Sequence, residues 1–201
     1  DANLVLVSRG SVCPRDRNFQ SLWLWAEARQ DSLFDLLDTR YLLYGEWAFL
    51  FHTIYYDALP DYFLEDDLYD THEERWLSTS ARNRLLEPFR GLLGLHSVPV
   101  LHEGTLTSLE ALKGLIGPSR YKTDTWPYSL LEVARRQGVE EETALSWTDP
   151  SDDREGLYIK VEREARVAAR LKWIRPGFLQ TVLRGGHWLK RPPLPNRLHQ
   201  S

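Results

Sequence analysis

The chain has 201 residues, 42% of them hydrophobic and 27% charged, with a formal net charge of −4. That length holds one domain with a substantial core and is short for two, and the composition is that of an ordinary globular protein. No apolar run approaches the roughly 18 residues of a bilayer span, the Asp1-Ala2-Asn3 start is no secretory leader, and a single cysteine, Cys13, allows no internal disulfide, so the expected location is the cytoplasm.

In chain order, Leu4 to Val7 reads as a strand buried on both faces, closed by Ser8-Arg9-Gly10. With no methionine in the chain, a buried strand this close to Asp1 leads us to expect a further N-terminal segment. Residues 18–37 place Leu22, Trp25, Ala26, Leu33, Leu36 and Leu37 at helical spacing, in one helix or two. Arg40 to Phe51 and Tyr62 to Tyr69 are aromatic-rich strands separated by the Leu59-Pro60-Asp61 turn. Ser78 or Thr79 caps a helix expected to stop at Pro88. Val98 to Leu101 suggests a short strand. Thr107-Ser108-Leu109-Glu110 fits a capping box, and Pro127 opens a helix that Gly138 ends. Leu157 to Val161 and Arg166 to Trp173 suggest a hairpin, and Gly177 to Leu183 a short helix before a proline-rich tail. Helices and strands mix without a βαβ rhythm, so the expected class is α+β.

Charge is unevenly distributed along this order. From Lys160 onward there are ten Lys/Arg against two acids, whereas residues 1–159 carry fifteen against twenty-seven. The basic end either faces an anionic partner or has its counter-charges elsewhere in the fold.

Four segments carry candidate chemistry. In Leu43-Tyr44-Gly45-Glu46-Trp47 a carboxylate follows a glycine within an aromatic strand, where Glu46 would accept a hydrogen bond from a sugar hydroxyl. Tyr62 to Asp70 contains three consecutive acids, which a strand tolerates poorly. Alternation puts Glu65 and Asp67 on one face and Asp66 on the other, so at least one should meet a cation in the interior. In Glu155-Gly156-Leu157-Tyr158-Ile159-Lys160, alternation separates Glu155 from Lys160 unless Gly156 bends the strand. Arg170 and Lys172 share a strand face, where a phosphate between them would relieve their repulsion. Each segment alone reads more simply as an ordinary solvated, acidic-edge or salt-bridged strand.

Their order resembles the ordered motifs of covalent nucleotidyltransferases, the superfamily of ATP-dependent DNA ligases, RNA ligases and mRNA capping enzymes. The surrounding wording is more specific. Tyr44-Gly45-Glu46-Trp47, Tyr56-Asp57-Ala58-Leu59-Pro60, Phe63-Leu64-Glu65, Lys172-Trp173-Ile174-Arg175-Pro176, His187-Trp188-Leu189 and Pro195-Asn196-Arg197-Leu198 are similar to the small RNA ligase family of bacteria, over nearly the whole chain from Ala2 to Leu198.

The resemblance implies a single nucleotidyltransferase domain over residues 1–201, mainly antiparallel sheets with flanking helices, and no separate oligonucleotide-binding domain. It implies ATP and magnesium (or manganese) as cofactors and RNA, with DNA ends as a further option, as the substrate. Its nucleophile is a lysine in a Lys-x-Asp-Gly motif. Asp1-Ala2-Asn3 resembles the tail of that motif without its glycine, which puts the lysine just before Asp1. None of Lys113, Lys122, Lys160, Lys172 and Lys190 stands in such a motif. Carried over, Glu46 binds ribose, Arg9 contacts phosphate or ribose, and Asp67 and Arg170 join the nucleotide contacts. Lys160 and Lys172 hold the α-phosphate and lower the nucleophile's pKa from about 10.4. Glu155 orients the nucleophile or helps hold magnesium.

Two departures accompany this. Asp66 occupies the place where related ligases carry an adenine-stacking aromatic, leaving Phe63, Tyr158 or another ring for that role. Without its lysine the chain also fits a non-catalytic nucleotide- or RNA-binding protein, and a DNA ligase-type adenylation domain is the other alternative. His52, His96 and His102 are read as structural groups among apolar residues, and no Cys/His spacing suggests zinc.

Overall fold

The computed structural model describes residues 3–164, 166–185 and 191–199. The expectations for Asp1-Ala2, His187-Trp188-Leu189 and Lys190 lie outside the described residues. Contacts divide the chain into two compact units, one of residues 1–47, 63–97 and 161–168, the other of residues 48–62, 98–160 and 169–201. Among the described residues no helix is long and apolar enough to cross a membrane.

The first unit begins with a small antiparallel hairpin, β1 (Val7–Ser8) and β2 (Ser11–Val12). Its two loop residues, Arg9 and Gly10, both have positive φ, 51° and 79°, as tight hairpin turns require. The run leading into it is not buried on both faces. Val5 and Val7 are exposed while Leu4 and Leu6 lie against the core, because alternation sends only every second side chain inward.

Two helices follow, α1 (Gln20–Glu27) and α2 (Gln30–Leu37). They bury Ala26, Leu33 and Leu36 against Leu68 and against Leu86 and Leu93 of α3 (Thr79–Leu93). Each such leucine contributes about 1.5–3 kcal/mol by leaving water. Helix α3 is capped by the Ser78 hydroxyl, which accepts from the Ala81 amide at 3.3 Å. It runs through Pro88 rather than stopping there. Proline deletes one helix hydrogen bond, but the turns on both sides are anchored by Leu86 and Leu93, and the helix ends where Gly94 takes φ +60°.

The sheet of this unit pairs β3 (Tyr41–Trp47), β4 (Phe63–Asp70) and β5 (Arg75–Trp76) in antiparallel order, with β6 (His96–Ser97) joining β4 in parallel. The strand expected at Val98–Leu101 is displaced to these two residues. Ser97 lies opposite Glu65 and donates its hydroxyl to that carboxylate at 2.6 Å, whereas Pro99 has no N–H to offer a ladder.

In the second unit α5 (Trp126–Arg136) buries Trp126, Leu130, Val133 and Ala134, spaced for one helical face, with Phe51, Tyr55 and Leu194. Pro127 lies in its first turn, and Gly138, at φ +67°, follows its end. Two shorter helices belong here. The N-cap of α4 (Leu109–Lys113) is Ser108, one residue later than the sequence suggested, with its hydroxyl accepting from the Ala111 amide at 3.0 Å. The other, α6 (Glu141–Trp147), was not expected. It is short and shows a single fully buried residue, Ala144, too little periodicity to be seen in the sequence. The closing Asn196 stitches this unit together: its amide accepts from the Tyr56 N–H and donates to the Ala48 carbonyl, both at 2.8 Å.

Strands β7 (Gly156–Arg163) and β8 (Arg166–Ile174) form a two-stranded sheet. Residues 161–168 belong to the first unit, and the strand residues on either side to the second. Helix α7 (Pro176–Gly185) follows directly.

Candidate functional site

The candidate residues fall into two groups, one on β3–β4 with the β1–β2 turn and one at the base of β7–β8.

Gly45 is fixed by its surroundings. A Cβ built there would come 2.6 Å from both the Leu64 carbonyl oxygen and the Phe63 ring, so only glycine lets β3 approach β4 at this point. The same point carries a register irregularity: Tyr44 lies opposite Asp67, but the next residue, Gly45, lies opposite Glu65. The extra residue on β4 is Asp66, so the strand is bulged there.

This corrects the expected alternation. Directly opposed residues project to the same face, so Asp67 shares a face with Tyr44 while Glu65 shares the other with Gly45. Glu65 and Asp67 therefore point to opposite sides of the sheet. Glu65 is fully buried and forms an ion pair at 3.1 Å with Arg82 of α3, itself buried. Arg82 also donates to the Asp66 carbonyl, and Arg90 donates to the Ser97 hydroxyl at 3.0 Å. The interior cation anticipated for the acidic strand is thus Arg82.

On the other face, Tyr44 and Glu46 are exposed and Asp67 is 1% exposed. Tyr44 stands edge-on to Trp76, with ring centroids 4.7 Å apart, and Trp76 is 5.0 Å from Tyr69. Glu46 thus lies on an open, aromatic sheet face. Arg9 is exposed at the β1–β2 turn. Phe63, one of the rings considered for stacking on adenine, packs instead on Trp25 at 4.7 Å.

At the base of β7–β8, Gly156 is also held to glycine: a Cβ there would overlap the Trp173 carbonyl oxygen. The close approach it permits brings Glu155 beside β8, where its carboxylate meets the Lys172 ammonium at 3.3 Å. Both side chains keep about half their surface in water, 42% for Glu155 and 54% for Lys172, so the pair contributes little to stability. Lys160 is partly buried, its ammonium 5.6 Å from the Tyr158 ring centre. Arg170 is exposed and two residues from Lys172 on the same strand.

The residues that hold this base were not singled out in the sequence. Arg175 donates its backbone N–H to the Glu155 carbonyl at 2.9 Å and its Nε to the Arg154 carbonyl at 3.2 Å. Its remaining arm reaches buried Asp149 at 3.0 Å. Burial works to raise the Asp149 carboxyl, but hydrogen bonds from Ser151 and Arg175 outweigh it and hold the group below its ordinary value. Two sequence signals bore on them: Arg175 stands in the Lys172-Trp173-Ile174-Arg175-Pro176 segment, and Asp149 in Thr148-Asp149-Pro150-Ser151, a turn-forming combination.

The histidines are corrected: His52, His96 and His102 are all exposed. Among the described residues no three His, Cys, Asp or Glu side chains gather to hold a metal. Surface hollows near Arg15, Arg17 and Trp23, and near Gln30 and Leu92, include none of the candidate residues.

A family model described as RNA ligase matches residues 1–174, a stretch that includes every candidate residue named from the sequence. Comparisons with curated proteins and with solved structures give no match. The chain belongs to the RNA ligase family.

Proposed function

We propose that this chain is the nucleotidyltransferase core of an ATP-dependent RNA ligase that joins 5′-phosphate and 3′-hydroxyl ends. The observation that carries the reading is the Glu155–Lys172 pair: a cation beside a carboxylate, both open to solvent, at a strand contact that only Gly156 permits.

The chemistry follows from these side chains. In the first step a lysine amine attacks the α-phosphate of ATP, forming a P–N bond as the bond to pyrophosphate breaks. The resemblance puts that lysine before Asp1, and we assign the role to none of the five lysines in the chain. AMP then passes to the RNA 5′-phosphate, releasing the lysine. Finally the 3′-hydroxyl oxygen attacks that phosphate, the phosphodiester forms, and AMP leaves. Lys172 and Lys160 stabilise the charge that grows on the phosphate oxygens. Glu46, exposed beside Tyr44, accepts from the ribose, with Asp67 behind the same face. Arg9 and Arg170 add cationic contacts to phosphate.

Magnesium fits this residue set in one way. With no cluster of three protein ligands among the described residues, the ion would be held chiefly by phosphate oxygens and water, with Glu155 as a single carboxylate, a mode common for Mg²⁺. When bound it neutralises charge on the departing phosphate.

Two measurements test the reading. A protein that carries a lysine ahead of Asp1 should gain one AMP in its intact mass after ATP and magnesium, and lose it on adding pyrophosphate. The chain beginning at Asp1 should gain none, yet should seal an RNA strand already adenylated at its 5′ end. No sealing, together with tight RNA or ATP binding, would identify a binding protein instead.

A further inference from the structure

The second unit contains a buried ion pair, Asp149–Arg175, that bonds the backbone of Glu155 at the hairpin base without being part of the Glu155–Lys172 pair. Asp149 is 2% exposed. One of its oxygens accepts from Arg175 Nη2 at 3.0 Å and from the Ser151 amide and hydroxyl at 3.0 and 2.7 Å; the other accepts from Thr181 on α7 at 3.5 Å. The same Arg175 holds the carbonyls of Arg154 and Glu155, from Nε and from its backbone N–H.

The loop carrying Asp149 is pinned in turn. Lys122 donates to the Ser151 carbonyl at 2.6 Å, Trp126 donates to Asp152 at 2.9 Å, and Arg154 donates to the Gly117 carbonyl from its amide at 3.1 Å and its guanidinium at 3.0 Å. Arg175 lies three residues after Lys172, and its amide is bonded to the residue that pairs with Lys172. A guanidinium can face a carboxylate and a carbonyl at once through its planar fork. One residue therefore joins the rigid loop to both strands at the point where Glu155 and Lys172 meet.

The geometry points to Arg175, anchored by Asp149, as the positioning residue that sets the Glu155–Lys172 spacing for the phosphate. Arg175 touches no reacting atom; it acts through the pair. This rests on the ligase reading for its catalytic consequence, but not for its geometric one.

Arg175→Lys is the informative variant, because it keeps a charge opposite Asp149 and loses the fork. Arg175→Ala strands a buried carboxylate and is liable to unfold. Two readouts are needed. One is sealing of preadenylated RNA with magnesium. The other is the NMR signal of Lys172 after ¹³C-dimethylation of the lysines, assigned with Lys172→Arg. Arg175→Lys should lower kcat about ten- to a hundredfold, as small misplacements at reacting centres do, with KM for the strands nearly unchanged. It should also move the Lys172 signal in the direction that Glu155→Gln moves it.

An unmoved Lys172 signal overturns the inference whatever the activity. A moved signal with unchanged kcat overturns the positioning role and leaves Arg175 a stabilising residue only. If the wild-type chain seals nothing while the signal moves as expected, the ligase reading fails and the geometric inference stands.

Discussion

The β3–β4 pair and the β7–β8 sheet both place charged side chains on strands, and they accommodate them in opposite ways. On β4 the acids Glu65 and Asp70 are buried and consumed by the arginines Arg82 and Arg40. At the base of β7–β8, Glu155 and Lys172 meet each other in water. The first arrangement holds the fold, since removing one member leaves a buried charge without its counter-ion. The second adds little to stability and leaves both groups able to reach a ligand. A run of charges in a strand is thus no measure of function; what distinguishes the two cases is whether the carboxylate itself is buried.

The sharpest way to break this contrast is Glu65→Ala. It should cost about 3–5 kcal/mol by stranding Arg82, read as a fall in the urea midpoint. Lys172→Ala should do the reverse, lowering sealing of preadenylated RNA about a hundredfold while the urea midpoint barely moves. Should Lys172→Ala unfold the protein, or Glu65→Ala leave it intact, the distinction fails.

Gly45→Ala comes next. The added Cβ has no room against Leu64 and Phe63, so it should cost roughly 1–3 kcal/mol and reduce sealing as well, because Glu46 moves with the backbone. Stability and activity measured on the same preparation check both effects.

Acid sensitivity should be smaller, with its largest part on the β4 side. Hydrogen bonds from Arg40, helped by the His72 and Glu73 amides, lower the Asp70 carboxyl from 3.8 to about 2 despite its burial. A carboxyl lowered in the folded state stabilises fully above its unfolded value and progressively less as pH falls through the folded one. Stability should therefore decline between about pH 4 and pH 2, and Asp70→Asn should flatten that decline. The smallest effect is on the other side: Glu155→Gln should change stability by less than about 1 kcal/mol, against a clear loss of sealing.

How much of this was legible beforehand depended on periodicity. Helices α1 and α2 announced themselves through apolar spacing, α5 through Pro127 at its start and Gly138 past its end, and β3 and β4 through their aromatic content. Gly156 suggested a bend and Gly45 counted only as the residue before Glu46; the close strand contacts that hold both positions to glycine were not foreseen. The face of Glu65 was misjudged because one extra residue at Asp66 inverts alternation, and a bulge leaves no compositional trace. Pro88 misled because local propensity yields to burial on both sides of it. Arg175 and Asp149 were missed because they are 26 residues apart and each, read alone, is an ordinary turn or strand-end residue. Pairings at that separation come from tertiary packing, which a single sequence does not display.

The central claim is that the exposed pair at the hairpin base handles phosphate. Its most direct test is the sealing of a preadenylated RNA strand to a 3′-hydroxyl strand with magnesium and no ATP, comparing the wild-type chain with Lys172→Ala. Joined product is expected from the wild type, and about a hundredfold less from the variant at unchanged stability. Equal sealing by both, or none by a folded wild type, would contradict it.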